Sequence, residues 1–165
     1  MVRPFGGLQW RGTRSVNASQ RGFGPRWQGR YRAKLVSEHA DHPVFGKAIG
    51  QLSKAQEAVG GAAFQLLGWS KSGEMHKVPL NANLFLEMMS ELAVGWLLLS
   101  AAVIALEKQA DLDKEHPDWA FYEGKKASAL YFSSNVLPSV ISKSKVMQIG
   151  DSSPVDIPDE SFATV

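Results

Sequence analysis

Three clusters in the sequence carry residue types and spacings that chemistry can use. His39, Asp41 and His42 bring two imidazoles and a carboxylate close together, and such groups ligate zinc. They precede Pro43 without the helical HExxH pattern and without a defined fourth ligand, so a polar entry to a helix is the expectation. Glu87 and Glu91 stand four apart, on one side of any helix that carries them. Paired carboxylates serve general acid–base work, but on the polar side of an amphipathic helix they are expected to be solvated. Lys125 and Lys126 interrupt an aromatic face. They offer cations to a phosphate or an acidic partner, although such lysines ordinarily lay their stems on apolar surface and point outward.

Other chemistries find less support. The chain has no cysteine, which excludes disulfides, thiolate metal sites and cysteine nucleophiles and fits a reducing compartment. No serine stands in a G-x-S-x-G elbow. Gly22, Gly24 and Gly29 miss the dinucleotide-binding spacing and follow no strand pattern. Asn17, Ala18 and Ser19 form a glycosylation triplet, but no hydrophobic secretory signal accompanies it. No catalytic, cofactor-binding or metal-ligating residue is therefore assigned.

The elements that must position these groups fall into two parts. All seven arginines lie between Arg3 and Arg32, and no acidic residue occurs before Glu38. From residue 35 onward ten lysines face sixteen acidic residues. Residues 1–34 are a basic leader rich in glycine and lacking any apolar period, and disorder is expected there. Its Trp10, Phe23, Trp27 and Tyr31 alternate with arginines, a pattern able to stack on bases and neutralise phosphates. An organelle transit peptide is opposed by six glycines. The favoured expectation is a fortuitous N-terminus joined to a domain spanning residues 35–165.

That domain reads as all-α, an up-and-down bundle of three long helices plus a short C-terminal helix. Phe45, Ala48, Ile49, Leu52, Ala55, Val59, Ala62, Ala63, Leu66 and Leu67 recur at steps of three and four, predicting a helix over 44–67 that Gly68 stops. Gly60 and Gly61 in its middle suggest a close helix contact or a break. A second helix is predicted over 80–109, amphipathic at first and then apolar around its circumference from Leu92 to Leu106, where Ser100 alone is polar. Such a helix is expected to be buried all round. Fifteen residues rise only about 22 Å against a hydrocarbon core near 30 Å, so no membrane insertion is expected. A third helix starts near Pro117 and Asp118 and presents Trp119, Tyr122, Ala129, Phe132 and Val136 on one face. Pro138 kinks or ends it, and Val140 to Ile149 form a short fourth helix closed by Gly150.

Phe121 to Pro138 reads FYEGKKASALYFSSNVLP. The segment resembles one near the end of the larger acyl-CoA dehydrogenases, including the methylthiopropanoyl-CoA dehydrogenases. Phe121, Tyr122, Lys125, Ala127, Ala129, Tyr131, Phe132, Leu137 and Pro138 carry the match. Gly95 and Trp96 before an aliphatic run resemble the preceding family helix, and Ile149, Gly150, Asp159, Glu160 and Phe162 resemble its ending. The likeness covers about residues 35–165, and the basic leader is expected to have no counterpart.

The resemblance implies part of an FAD-dependent enzyme of fatty acid metabolism that removes hydrogens from an acyl-CoA with a glutamate base. Flavin site, acyl pocket and base belong to domains that precede this one, so no catalytic residue carries over. This chain is expected to bind no cofactor and to be inactive alone. Its expected partners are an acyl-CoA dehydrogenase body or further copies of itself, in the cytoplasm, with no nucleic acid. The alternative is an autonomous helical adaptor that binds nucleic acid or an acidic partner through the Arg-rich leader.

Overall fold

A computed structural model describes residues 42–163 of the chain. The basic leader, His39 and Asp41 lie outside the described residues, as do the expectations attached to them. Within them the chain forms α1 (Gly46–Ser72), α2 (Lys77–Gln109), α3 (Trp119–Asn135), α4 (Leu137–Ile149) and a single turn, α5 (Ser153–Asp156), followed by a 3-10 turn at Asp159–Phe162. No strand occurs among the described residues. The predicted helical bundle is the observed architecture, with α3 and α4 following one another as a broken third helix.

Each boundary has a local cause. α1 runs past Gly68 because Trp69 is buried, and that burial holds one more turn in place. The helix stops instead at Gly73, whose φ of 84° is open to glycine at little cost, with its N–H returning to the Trp69 carbonyl. Gly60 and Gly61 mark neither a break nor a close contact, since an added methyl at either would meet open space. α2 begins three residues earlier than predicted. Pro79 is tolerated there because the first helical N–H groups have no intrahelical acceptor. Pro138 ends α3 at Asn135, and α4 starts after Val136 alone, with the proline in its first turn. Gly150, at φ 63°, closes α4 as expected.

The core lies where α2 meets the other three long helices. Phe45, Ile49 and Leu52 of the α1 entry and first turns, Met88 and Leu99 of α2, and Leu137, Val140 and Met147 of α4 are its largest fully buried members. Gly95 is the tightest point of approach: a Cβ there would stand 2.8 Å from Leu137 Cδ2, closer than real Cβ contacts permit, so the absence of a side chain lets Leu137 seat against α2.

Candidate interaction surfaces

α2 does not have the environment its composition implies. Met88, Leu92, Gly95, Leu99, Ala102, Val103 and Ala105 turn inward, whereas Leu86, Met89, Val94, Leu97 and Ile104 are between 41% and 62% exposed. Among the described residues α1, α3 and α4 cover one side of α2 and not the other, so burial all round would need a further surface. By length and composition α2 is also able to cross a membrane, with a third of its most apolar stretch buried in the bundle.

The paired carboxylates behave differently from the solvated pair expected. Lys143 of α4 donates to Glu91, and lies 3.1 Å from Glu87. Ser139 Oγ, one turn before it, donates to Glu91 Oε2 at 2.6 Å. Glu91 keeps only 22% of its side-chain exposure, so the group is a brace between α2 and α4. Burial works against the Lys143 ammonium, but its hydrogen bonds to Glu91 and Glu87 outweigh that and hold its pKa above the ordinary 10.5. The partner lies 52 residues away, beyond the reach of any local pattern.

Lys126 likewise turns inward. It donates to Glu123 Oε1 at 2.6 Å and to buried Gln109 Oε1 at 2.5 Å, while Gln109 Nε2 donates to Glu123 Oε1 at 2.9 Å. Those bonds, the one from Lys126 foremost, lower the Glu123 pKa, and they tie the end of α2 to the start of α3. Lys125 does face outward, 5.1 Å above the Phe121 ring, in a cation–π contact. His42 Nδ1 accepts from the backbone N–H groups of Val44 and Phe45 at 3.2 and 3.3 Å, so this imidazole organises the entry to α1. Among the described residues no three His, Asp or Glu side chains are grouped to hold a metal.

A groove of about 560 Å³ between α1 and α3 is lined by Val44, Lys47, Gln51, Lys54, Leu130 and Ser134 among others. It offers two lysines but no carboxylate. A flavin with a glutamate base does not fit those residues. The remaining exposed surface is notable for its aromatics: Phe121 is 59%, Tyr131 68% and Phe162 72% exposed. Phe121 and Tyr131 lie with Lys125 on the outward side of α3.

Comparison with known proteins bears on these surfaces. The family model described as acetyl-CoA dehydrogenase C-terminal like matches residues 32–158. A butyryl-CoA dehydrogenase of Syntrophomonas wolfei subsp. wolfei is 31% identical over 163 residues, a match covering 93% of this chain and 26% of that protein. A second butyryl-CoA dehydrogenase of the same organism is 28% identical over 120 residues, covering 73% of this chain and 20% of its own length. The broad-specificity linear acyl-CoA dehydrogenase FadE5 of Mycobacterium tuberculosis is 33% identical over 119 residues, covering 67% of this chain and 19% of that protein. The chain thus spans about a quarter or less of the curated relatives it matches. A 93% share takes in part of residues 1–34, against the expectation that this segment has no counterpart.

Proposed function

Because the chain belongs to the acetyl-CoA dehydrogenase C-terminal-like family, we propose that it is a non-catalytic helical domain that docks on the catalytic part of an FAD-dependent acyl-CoA dehydrogenase. The observation that carries this is a division among the residues through which the sequence resembles that family. Gly95, Ala129 and Leu137 are buried and build the bundle, Gly95 being the socket for Leu137. Phe121, Tyr131, Ile149 and Phe162 are more than half exposed and do nothing for the bundle. A fold does not require large apolar groups on its outside, and exposed aromatic and aliphatic side chains are what an interface uses.

The reaction belongs to the rest of such an enzyme, where FAD would supply the redox chemistry. This chain's own residues have the part of shape and attachment: the Glu91–Lys143 brace fixes α4 on α2, and the Gln109–Glu123–Lys126 cluster fixes α3 on α2. Together they keep the outward side of α3 rigid, so that docking costs little ordering entropy. A cytoplasmic setting and a place in fatty acid metabolism follow from the same proposal.

The test is to co-express the chain with the Syntrophomonas wolfei butyryl-CoA dehydrogenase truncated before its matching segment. The expected result is a stable complex that Phe121→Glu with Tyr131→Glu abolishes, and a purified chain that carries no flavin absorbance. Stoichiometric FAD on the isolated chain, or indifference of the complex to the double substitution, would refute the proposal.

A further inference from the structure

We propose that the acidic segment after α4, residues 151–163, closes as a strap over the lysine-lined groove along α1. In the closed form Asp156 lies toward Lys145, Asp159 and Glu160 toward Lys54, and Phe162 beside Ser134 and Leu130. The docking surface on α3 is not needed for this. Only Phe162 belongs to both, and a closed strap would withhold it from a partner.

The groove is longer than its upper part alone. Beyond the space between α1 and α3, a second of about 400 Å³ opens between α1 and α4, lined by Lys54, Glu57, Ile141, Lys145 and Gln148 among others. Lys54 lines both, and α4 follows α3 after Val136 alone, so the two spaces run on along one side of α1. Lys47, Lys54 and Lys145 stand in this groove against a single carboxylate, Glu57. Among the described residues none of the three lysines is in an ion pair, whereas Lys77, Lys126 and Lys143 each hold a carboxylate. The groove is thus an uncompensated basic strip on a domain in which acids outnumber lysines, sixteen to ten.

The segment after α4 has the opposite character. Its ionised side chains are Asp151, Asp156, Asp159 and Glu160, with no base among them. Residues 153–163 are all exposed, and Val155, Ile157 and Phe162 keep 51%, 44% and 72% of their surface in water. Its hydrogen bonds close on itself, as from Ser152 to Asp156 and from Ser153 to Asp151. Among the described residues no hydrogen bond or ion pair ties it to the bundle.

Root and length select this segment as the occupant. Gln148 lines the lower end of the groove, two residues before the segment leaves α4 at Gly150. Four residues, 151–154, are enough to reverse the chain. From there Val155 to Phe162 in extended form cover about 23 Å, and α4 and α3 rise about 27 Å from Gln148 back to Leu130. That register carries the acids past Lys145 and Lys54 in turn and delivers Phe162 to the apolar upper end. Ile157 and Pro158 are already extended, at φ −71°, ψ 122° and φ −68°, ψ 146°. Closing opens only α5 and the 3-10 turn, single turns with no buried residue, which are marginal in water. The tether also gives this segment a local concentration that a free acidic peptide must compete against.

The absence of native cysteine allows a thiol to be placed at each end. Ser134, which lines the groove, and Ser161 are both exposed, and neither supplies a charge or an apolar contact to the closed form. On mild oxidation Ser134→Cys with Ser161→Cys should form a disulfide within one chain, at least about tenfold faster than Leu97→Cys with Ser161→Cys, whose first thiol stands on the uncovered face of α2. The rate should fall toward that of the control in about 1 M salt, where screening is nearly complete, and likewise when Asp156→Asn, Asp159→Asn and Glu160→Gln are added. In the chain without cysteines, deleting residues 151–165 should speed acetylation of Lys54 and Lys145 and leave that of Lys108 unchanged. Equal disulfide rates at positions 134 and 97, a rate indifferent to salt and to neutralisation, a disulfide found only between chains, or acetylation of Lys54 and Lys145 untouched by the deletion would each overturn the strap.

Discussion

The inner and outer faces of α2 have nearly the same composition and opposite surroundings. Leu99 is fully buried and Leu97, two residues earlier, is 56% exposed; Met88 is fully buried and its neighbour Met89 is 47% exposed. A helix apolar on all sides has no preferred direction, so its hydropathy cannot say which side its own fold will cover. That decision is made by shape and charge, through Gly95, which admits Leu137, and through Glu91, which Lys143 and Ser139 hold from α4. The lesson is that an excess of apolar surface marks a helix as needing cover, while small residues and ion pairs determine where the cover comes from.

The comparison breaks first at the core. Leu99→Ala should destabilise the fold by about 2–5 kcal/mol, whereas Leu97→Ala should stay within about 0.5 kcal/mol. Urea unfolding of the two variants checks this, and similar costs would erase the distinction between the faces. Gly95→Val should cost at least about 1–3 kcal/mol by overpacking against Leu137, measured in the same way.

A smaller loss is expected at the brace. Lys143→Met leaves the half-buried Glu91 carboxylate without its cation and should cost about 1–2 kcal/mol, between exposed and fully buried pairs. The pH dependence has a defined sign. Because the folded pKa of Lys143 is raised above 10.5, its contribution is complete below that pH and is lost as pH rises through the folded value. Stability measured from pH 9 upward should fall more steeply in the wild type than in Lys143→Met. At the acid end, Glu123 and Glu74 have lowered pKa values, chiefly through hydrogen bonds from Lys126 and Lys77 respectively. Their contribution is present above about 4.5 and fades as pH falls through their folded values. Glu123→Gln should flatten that acid limb slightly in an acid titration of helicity.

Much of the fold was legible in the sequence because helical periodicity and helix-ending glycines are local signals. Gly150 stops α4 where expected, and the inward face of α3 is the one that Trp119, Tyr122, Ala129, Phe132 and Val136 trace. Gly68 misled because the side chain that outweighs it, Trp69, finds its burial against distant Gly150. Glu91 and Lys126 were read as surface groups for the same reason: Lys143 and Ser139 reach Glu91 from α4, and Gln109 meets Lys126 from α2. The exposed residues of α3 and α2 could be named in advance but not placed, since exposure depends on which neighbours arrive.

Peroxide oxidation of the methionines, followed by peptide mass spectrometry, tests the two-faced account of α2 most directly. Sulfoxide formation follows exposure of the thioether. Buried Met88 should resist, while its neighbour Met89, 47% exposed, should react readily and at a rate close to that of Met75, 58% exposed. Equal rates at Met88 and Met89 would contradict it.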